Sequence, residues 1–87
     1  MRVLIAEDDP IYRFLLERVI KEWGHTLLVC SDGAEALSVL SGDDPPEIAI
    51  LDWMMPKMDG PEVCQRVREI VPSVPVYLIL LTARTGP

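Results

Sequence analysis

The chain has 87 residues, 49% of them apolar and 25% charged, with a net charge of −6 and a pI near 4.5. Such a length supports one small domain with a modest core, and the composition is that of a folded chain, not a disordered one. The acidic balance argues against direct binding to nucleic acid or an anionic membrane, and no run approaches the roughly 18 apolar residues that span a bilayer.

Met1-Arg2 leads straight into a strand over residues 2–6, with no small-residue cleavage site behind it. No signal peptide is read there, and a cytoplasmic location is expected. Val3-Leu4-Ile5-Ala6 then delivers three acids in a row, Glu7, Asp8 and Asp9. Asp9-Pro10 is a helix start: a capping acid followed by proline in the first helical position. Ile11, Phe14, Leu15, Arg18 and Val19 fall at helical spacing, with Leu16, Ile20 and Trp23 widening an apolar stripe, and Gly24 stops the helix. A second strand covers Thr26–Cys30. Asp32 followed three residues later by Glu35 resembles a capping box and opens a short helix carrying Ala36, Leu37 and Leu40, closed by Ser41-Gly42.

Asp43-Asp44-Pro45-Pro46 is a loop, because paired prolines cannot continue a helix. Residues 47–51 read as the third strand, with Asp52 directly after it. Residues 53–60 are irregular, and Pro61 starts a third helix with Val63, Val67, Ile70 and Val71 on one face. Pro72 and Pro75 bracket the turn into a last strand over residues 76–81, followed by Thr82-Ala83. Cys30 and Cys64 form no Cys-x-x-Cys pair and read as two reduced, partly buried thiols. His25, in a polar turn, reads as a surface or structural residue.

Strands apolar on both faces, alternating with helices of about ten residues, predict parallel strands joined by right-handed crossovers. In an open parallel sheet the ligand crevice lies at the carboxyl ends of the strands. Glu7, Asp8, Asp52 and Thr82 all fall at such ends. Acids and a hydroxyl facing one another there suit a hard divalent cation and a phosphoryl group.

Three segments carry a family resemblance: Ile5-Ala6-Glu7-Asp8-Asp9-Pro10, Ser31-Asp32-Gly33-Ala34-Glu35-Ala36-Leu37, and the run from Leu51-Asp52-Trp53 to Met58-Asp59-Gly60. With Thr82-Ala83, they resemble, in order and spacing, the receiver (CheY-like) domain of bacterial two-component response regulators. The resemblance covers essentially all of residues 1–87. It implies an α/β, flavodoxin-like parallel sheet, which here would have the order 2-1-3-4 and three crossover helices. A receiver protein is itself a standard example of that order. It also implies that Asp52 accepts a phosphoryl group from a histidine kinase, that Glu7 and Asp8 are the acidic pair, and that Thr82 is the switch hydroxyl. Asp59 and Gly60 would shape the turn beyond the site, and Asp9 would be mainly a helix cap.

A complete receiver continues through a fourth helix, a fifth strand ending in a lysine and proline, and a fifth helix. This sequence stops at Arg84-Thr85-Gly86-Pro87. The expectation is therefore a truncated receiver without the phosphate-pairing lysine, a part that neither Arg84 nor Lys57 matches.

Like charges about 4 Å apart repel by roughly 4 kcal/mol at an effective dielectric near 20, so converging carboxylates shift a pKa or recruit a cation. Mg²⁺ or Mn²⁺ fits best: Mg²⁺ takes octahedral oxygen, one or two carboxylates and several waters. Asp8 and Asp52 would ligate directly, the backbone carbonyl of Met54 would add a third oxygen, and Glu7 would act through water. The methionines Met54, Met55 and Met58 read as loop packing, and Trp53 as a partly exposed lid.

The expected function is a phosphoacceptor signalling module, not an enzyme, impaired by truncation but retaining the acidic pocket. The alternative is a self-associating structural fragment: a homodimer through the fourth-strand region without phosphorelay activity. An aspartyl phosphatase is disfavoured, because that pattern needs a second Asp two residues after the nucleophile, where this chain has Met54.

Overall fold

The computed structural model describes residues 1–70 and 76–81. Their order is β1 (Arg2–Ala6), α1 (Pro10–Glu22), β2 (Thr26–Cys30), α2 (Gly33–Leu40), β3 (Ile48–Asp52), α3 (Gly60–Ile70) and β4 (Tyr77–Leu81). The strands form one parallel sheet in the order β2-β1-β3-β4. Fold class, topology and strand order follow the sequence expectation. The third and fourth strands each begin one residue later than predicted, and Pro72, Pro75, Thr82 and Arg84 lie outside the described residues.

Local chemistry sets the helix ends. Asp9 caps α1 by accepting from the Ile11 N–H at 2.9 Å, with Pro10 in the first turn. At the other end Gly24 takes φ +84°, which glycine adopts without a Cβ penalty. Its N–H bonds the Lys21 carbonyl and the His25 N–H bonds the Ile20 carbonyl, the paired closure of a Schellman motif. Asp32 caps α2 through the Glu35 N–H at 2.8 Å, while the Glu35 carboxylate reaches back to the Ser31 N–H at 2.9 Å. The capping box is therefore stretched by one residue. Asp59 caps α3 by accepting from the Glu62 N–H at 2.8 Å.

Strand pleating divides the core in two. Leu4, Ala6, Ala49 and Leu51 face Ala36, Leu40, Val63 and Val67 of α2 and α3. Val3 and Ile5 face Ile20 of α1 on the other side, with Leu16, Leu27, Ile48 and Ile50 half-buried around them. Cys30 is buried and Cys64 partly so, both as free thiols. Burial, with Glu35 and Asp32 nearby, pushes the Cys30 thiol up to about 12.

The structure corrects two packing expectations. The stripe Ile11, Phe14, Leu15, Arg18 and Val19 does not face the sheet: Ile11 is 71% exposed, and Phe14, Leu15 and Val19 are exposed with it. The inward face is instead Ile20 with Leu16, about half a turn away around the helix. The helix rests mainly on β1 and β2. On α3, Val63 and Val67 are buried as expected but Ile70 is exposed, and Val71 lies outside the described residues.

Candidate metal centre

The alternation that turns Ile48 and Ile50 toward the α1 face carries on to Asp52, the last residue of β3. Glu7 follows β1 directly, its N–H bonded to the Cys30 carbonyl at 3.2 Å. The β1–α1 corner then turns sharply: the Asp9 N–H donates to Glu7 Oε2 at 3.0 Å, and Asp9 caps the helix. Asp8 is left exposed at the tip of the corner.

Carboxylate oxygens of Glu7, Asp8 and Asp52 all lie within 4.8 Å of one another. Glu7 and Asp52 are buried, at 1% and 2% exposure, whereas Asp8 opens to solvent. An all-oxygen donor set with one open flank fits a hard cation that keeps part of its water shell, as Mg²⁺ does. It does not fit a soft metal, which would want thiolate or imidazole. The two cysteines are elsewhere in the core, and His25 lies at the amino end of β2, opposite the acids.

The loop between β3 and α3 is held from both ends. The Trp53 N–H bonds the Leu81 carbonyl at 3.1 Å and the Gly60 N–H bonds the Trp53 carbonyl at 2.9 Å. Between them the Met58 N–H reaches the Pro56 carbonyl at 2.7 Å across Lys57, whose φ of 70° is left-handed. That is a γ-turn with a strained centre. The same lysine sits 3.5 Å from Asp32, so it pairs with the α2 cap. Asp32 titrates below the usual carboxylate range, first through the Glu35 N–H and then partly through Lys57. Met55 and Met58 pack against the core as expected, but the Met54 side chain is 68% exposed. Trp53 is half-exposed beside Asp52.

Of the sequence-predicted site residues, the structure brings Glu7, Asp8 and Asp52 together and sets Met54 two residues beyond Asp52. Thr82 lies outside the described residues. Sequence reasoning passed over two supports. Arg13 donates from Nη1 to the Glu7 carbonyl at 3.2 Å and toward Ser31 Oγ at 3.5 Å. Gly33 lies so close to Met58 that a Cβ would sit 1.9 Å from its carbonyl oxygen. The position of Arg13 one helical turn after Asp9 was a usable signal for the first. The second depends on how two distant loops meet, which no spacing shows.

Residues 3–86 match the family described as the response regulator receiver domain. Among curated proteins the chain is similar to the response regulator MprA of Mycobacterium avium, 38% identical over 84 residues. That match covers 97% of this chain and 36% of MprA, so the chain spans about a third of the length of the curated relatives it matches. Among solved structures it is similar to the response regulator TrrA of Thermotoga maritima, in complex with Mg²⁺-BeF, with a TM-score of 0.82 and 34% identity. The superposition covers 97% of this chain and 70% of that one. The receiver domain of a sensor histidine kinase from Pseudomonas aeruginosa, with magnesium in its active site cleft, gives a TM-score of 0.87 at 23% identity. It covers 95% of this chain and 67% of that one, and it shows the shared fold.

Proposed function

The chain belongs to the response regulator receiver domain family, and from that membership we propose that it is a phosphoacceptor module of a two-component system with Asp52 as acceptor. The observation that carries this reading is the convergence of Glu7, Asp8 and Asp52 oxygens at the carboxyl ends of β1 and β3. Asp8 and Asp52 would hold Mg²⁺ or Mn²⁺, with the Met54 backbone carbonyl as a third oxygen and Glu7 acting through water. The TrrA complex with Mg²⁺-BeF supports, by likeness, a Mg²⁺ site in this fold. A bound cation offsets the negative charge gathered between the carboxylates and an incoming phosphoryl group.

In the transfer, an Asp52 oxygen attacks phosphorus in line, the bond to the donor histidine nitrogen breaks, and an acyl phosphate forms. The Thr82 hydroxyl would bond a phosphoryl oxygen. The chain is a signalling module rather than an enzyme, its donor is a histidine kinase, and its setting is cytoplasmic. No residue of the 87 matches the family's phosphate-pairing lysine. Removing one such preorganised donor typically slows a transfer by roughly 10²–10³-fold.

With Mg²⁺ and acetyl phosphate, intact-mass spectra should therefore show only slow, substoichiometric labelling, and none in Asp52→Asn. Labelling that persists in Asp52→Asn would refute the acceptor assignment. Fast stoichiometric labelling of the native chain would show that the lysine is dispensable.

A second reading is favoured by a different observation. Tyr77 and Ile79 on β4, 74% and 46% exposed, adjoin the half-buried Ile48 and Ile50 on the α1 face of the sheet. Self-association of two copies through this fourth-strand region would cover them.

A further inference from the structure

We infer that Arg13 is a positioning residue for the acidic cluster, acting on the single peptide group that joins Glu7 to Asp8. Its Nη1 donates to the Glu7 carbonyl oxygen at 3.2 Å, and that carbonyl belongs to the peptide linking the two acids. The orientation of this peptide decides how the Glu7 and Asp8 side chains diverge from the end of β1. The same Nη1 points toward Ser31 Oγ at 3.5 Å, tying the corner to the loop that follows β2.

The Glu7 N–H is held by β2, the Asp9 N–H by the Glu7 carboxylate, and the Glu7 carbonyl accepts from the guanidinium. The Arg13 side chain is half-buried, so its stem packs as well as its head bonds. A hydrogen bond from a charged donor is stronger than a neutral one, which suits a peptide that must stay fixed beside gathering negative charge.

The inference rests on the metal-binding reading above. It separates from a simple counter-charge role by the sign of the effect. A cation that merely offset the carboxylates would compete with Mg²⁺, and its removal would tighten metal binding. A residue that orients the acids has the opposite effect: its removal weakens binding, by about tenfold for a group supporting metal ligands.

The test is a Mg²⁺ titration, followed by Trp53 fluorescence, of the native chain, Arg13→Met, Arg13→Lys and Ser31→Ala. Methionine keeps the packed stem and removes the donors, and lysine retains one charged donor for the Glu7 carbonyl. Arg13→Met should raise the Mg²⁺ Kd about tenfold, Arg13→Lys should restore most of the loss, and Ser31→Ala should change it less than about twofold. Thermal melts without metal report folding separately. Lower melting with an unchanged Kd, or tighter binding in Arg13→Met, would overturn the inference. If the native chain itself failed to bind Mg²⁺, the metal-binding reading would fall first and this inference with it.

Discussion

Replacing Gly33 by alanine is expected to destabilise the protein by about 2–3 kcal/mol, against the usual helical preference for alanine. At this first residue of α2 the added Cβ would lie 1.9 Å from the Met58 carbonyl oxygen and 2.7 Å from its carbon. Both are backbone atoms, so no side-chain rotation relieves the clash, and the 53–59 loop must move away from α2. For a domain of this size the melting temperature should fall by roughly 10–20 °C. Gly42→Ala is the matched control: its Cβ would meet nothing nearer than 3.4 Å, and stability should change little. The displaced loop carries Met54, so Mg²⁺ binding should weaken in Gly33→Ala even at temperatures where it remains folded. Equal melting of the two variants would show that the loop does not rest on α2.

Much of this fold could be read in the sequence because its signals are local. Four apolar runs gave four strands, and Asp9-Pro10, Gly24 and Asp32 marked helix ends that the hydrogen bonds then reproduce. The acids were legible because each one terminates an apolar run, and parallel strands bring their carboxyl ends together. The outward turn of Ile11, Phe14, Leu15 and Val19 was not legible. Helical spacing tells which residues share a stripe but not how much sheet lies beneath it, and α1 rests mainly on β1 and β2. Ile70 was misread for the same reason, at the last turn of α3. The Arg13 and Gly33 contacts join segments set by the tertiary fold, so propensity and periodicity carry no trace of them.

The exposed apolar surface leads to the second large effect. Among the described residues β4 pairs only with β3, and it holds no charged side chain to block pairing. Leu15 and Val19 of α1 and Tyr77 and Ile79 of β4 lie on the same side of the sheet, each 42% exposed or more. Covering each would contribute about 1 kcal/mol, and with Ile11 there are five such side chains in each copy. Two copies then gain roughly 10 kcal/mol against an association cost of about 4–15 kcal/mol, with hydrogen bonds along the β4 edge in addition. The expected state is a weak two-fold homodimer, the commonest form of closed association. Ile79→Lys should weaken the dimer at least about tenfold, since burying a lone ammonium in that contact costs several kcal/mol. Ile70→Lys, on the opposite face, should not. Sedimentation velocity across the micromolar range measures both, and a native chain that stays a well-folded monomer throughout would mean that these apolar side chains need no second copy.

Glu7, Asp8 and Asp52 are expected to act as one cation site, on which Trp53 reports from the position next to Asp52. Asp52→Asn keeps the shape of the side chain and removes its charge, so a change in binding can be read apart from a change in folding. Titration of the native chain with Mg²⁺ should give a weak, saturable change in Trp53 fluorescence, repeated with Mn²⁺. In Asp52→Asn the midpoint should move up by about tenfold or more, as expected when a charged ligand is lost from a site of so few protein oxygens. Identical titration curves for the native chain and Asp52→Asn would mean that Asp52 is not a ligand and that the three acids do not form one cation site.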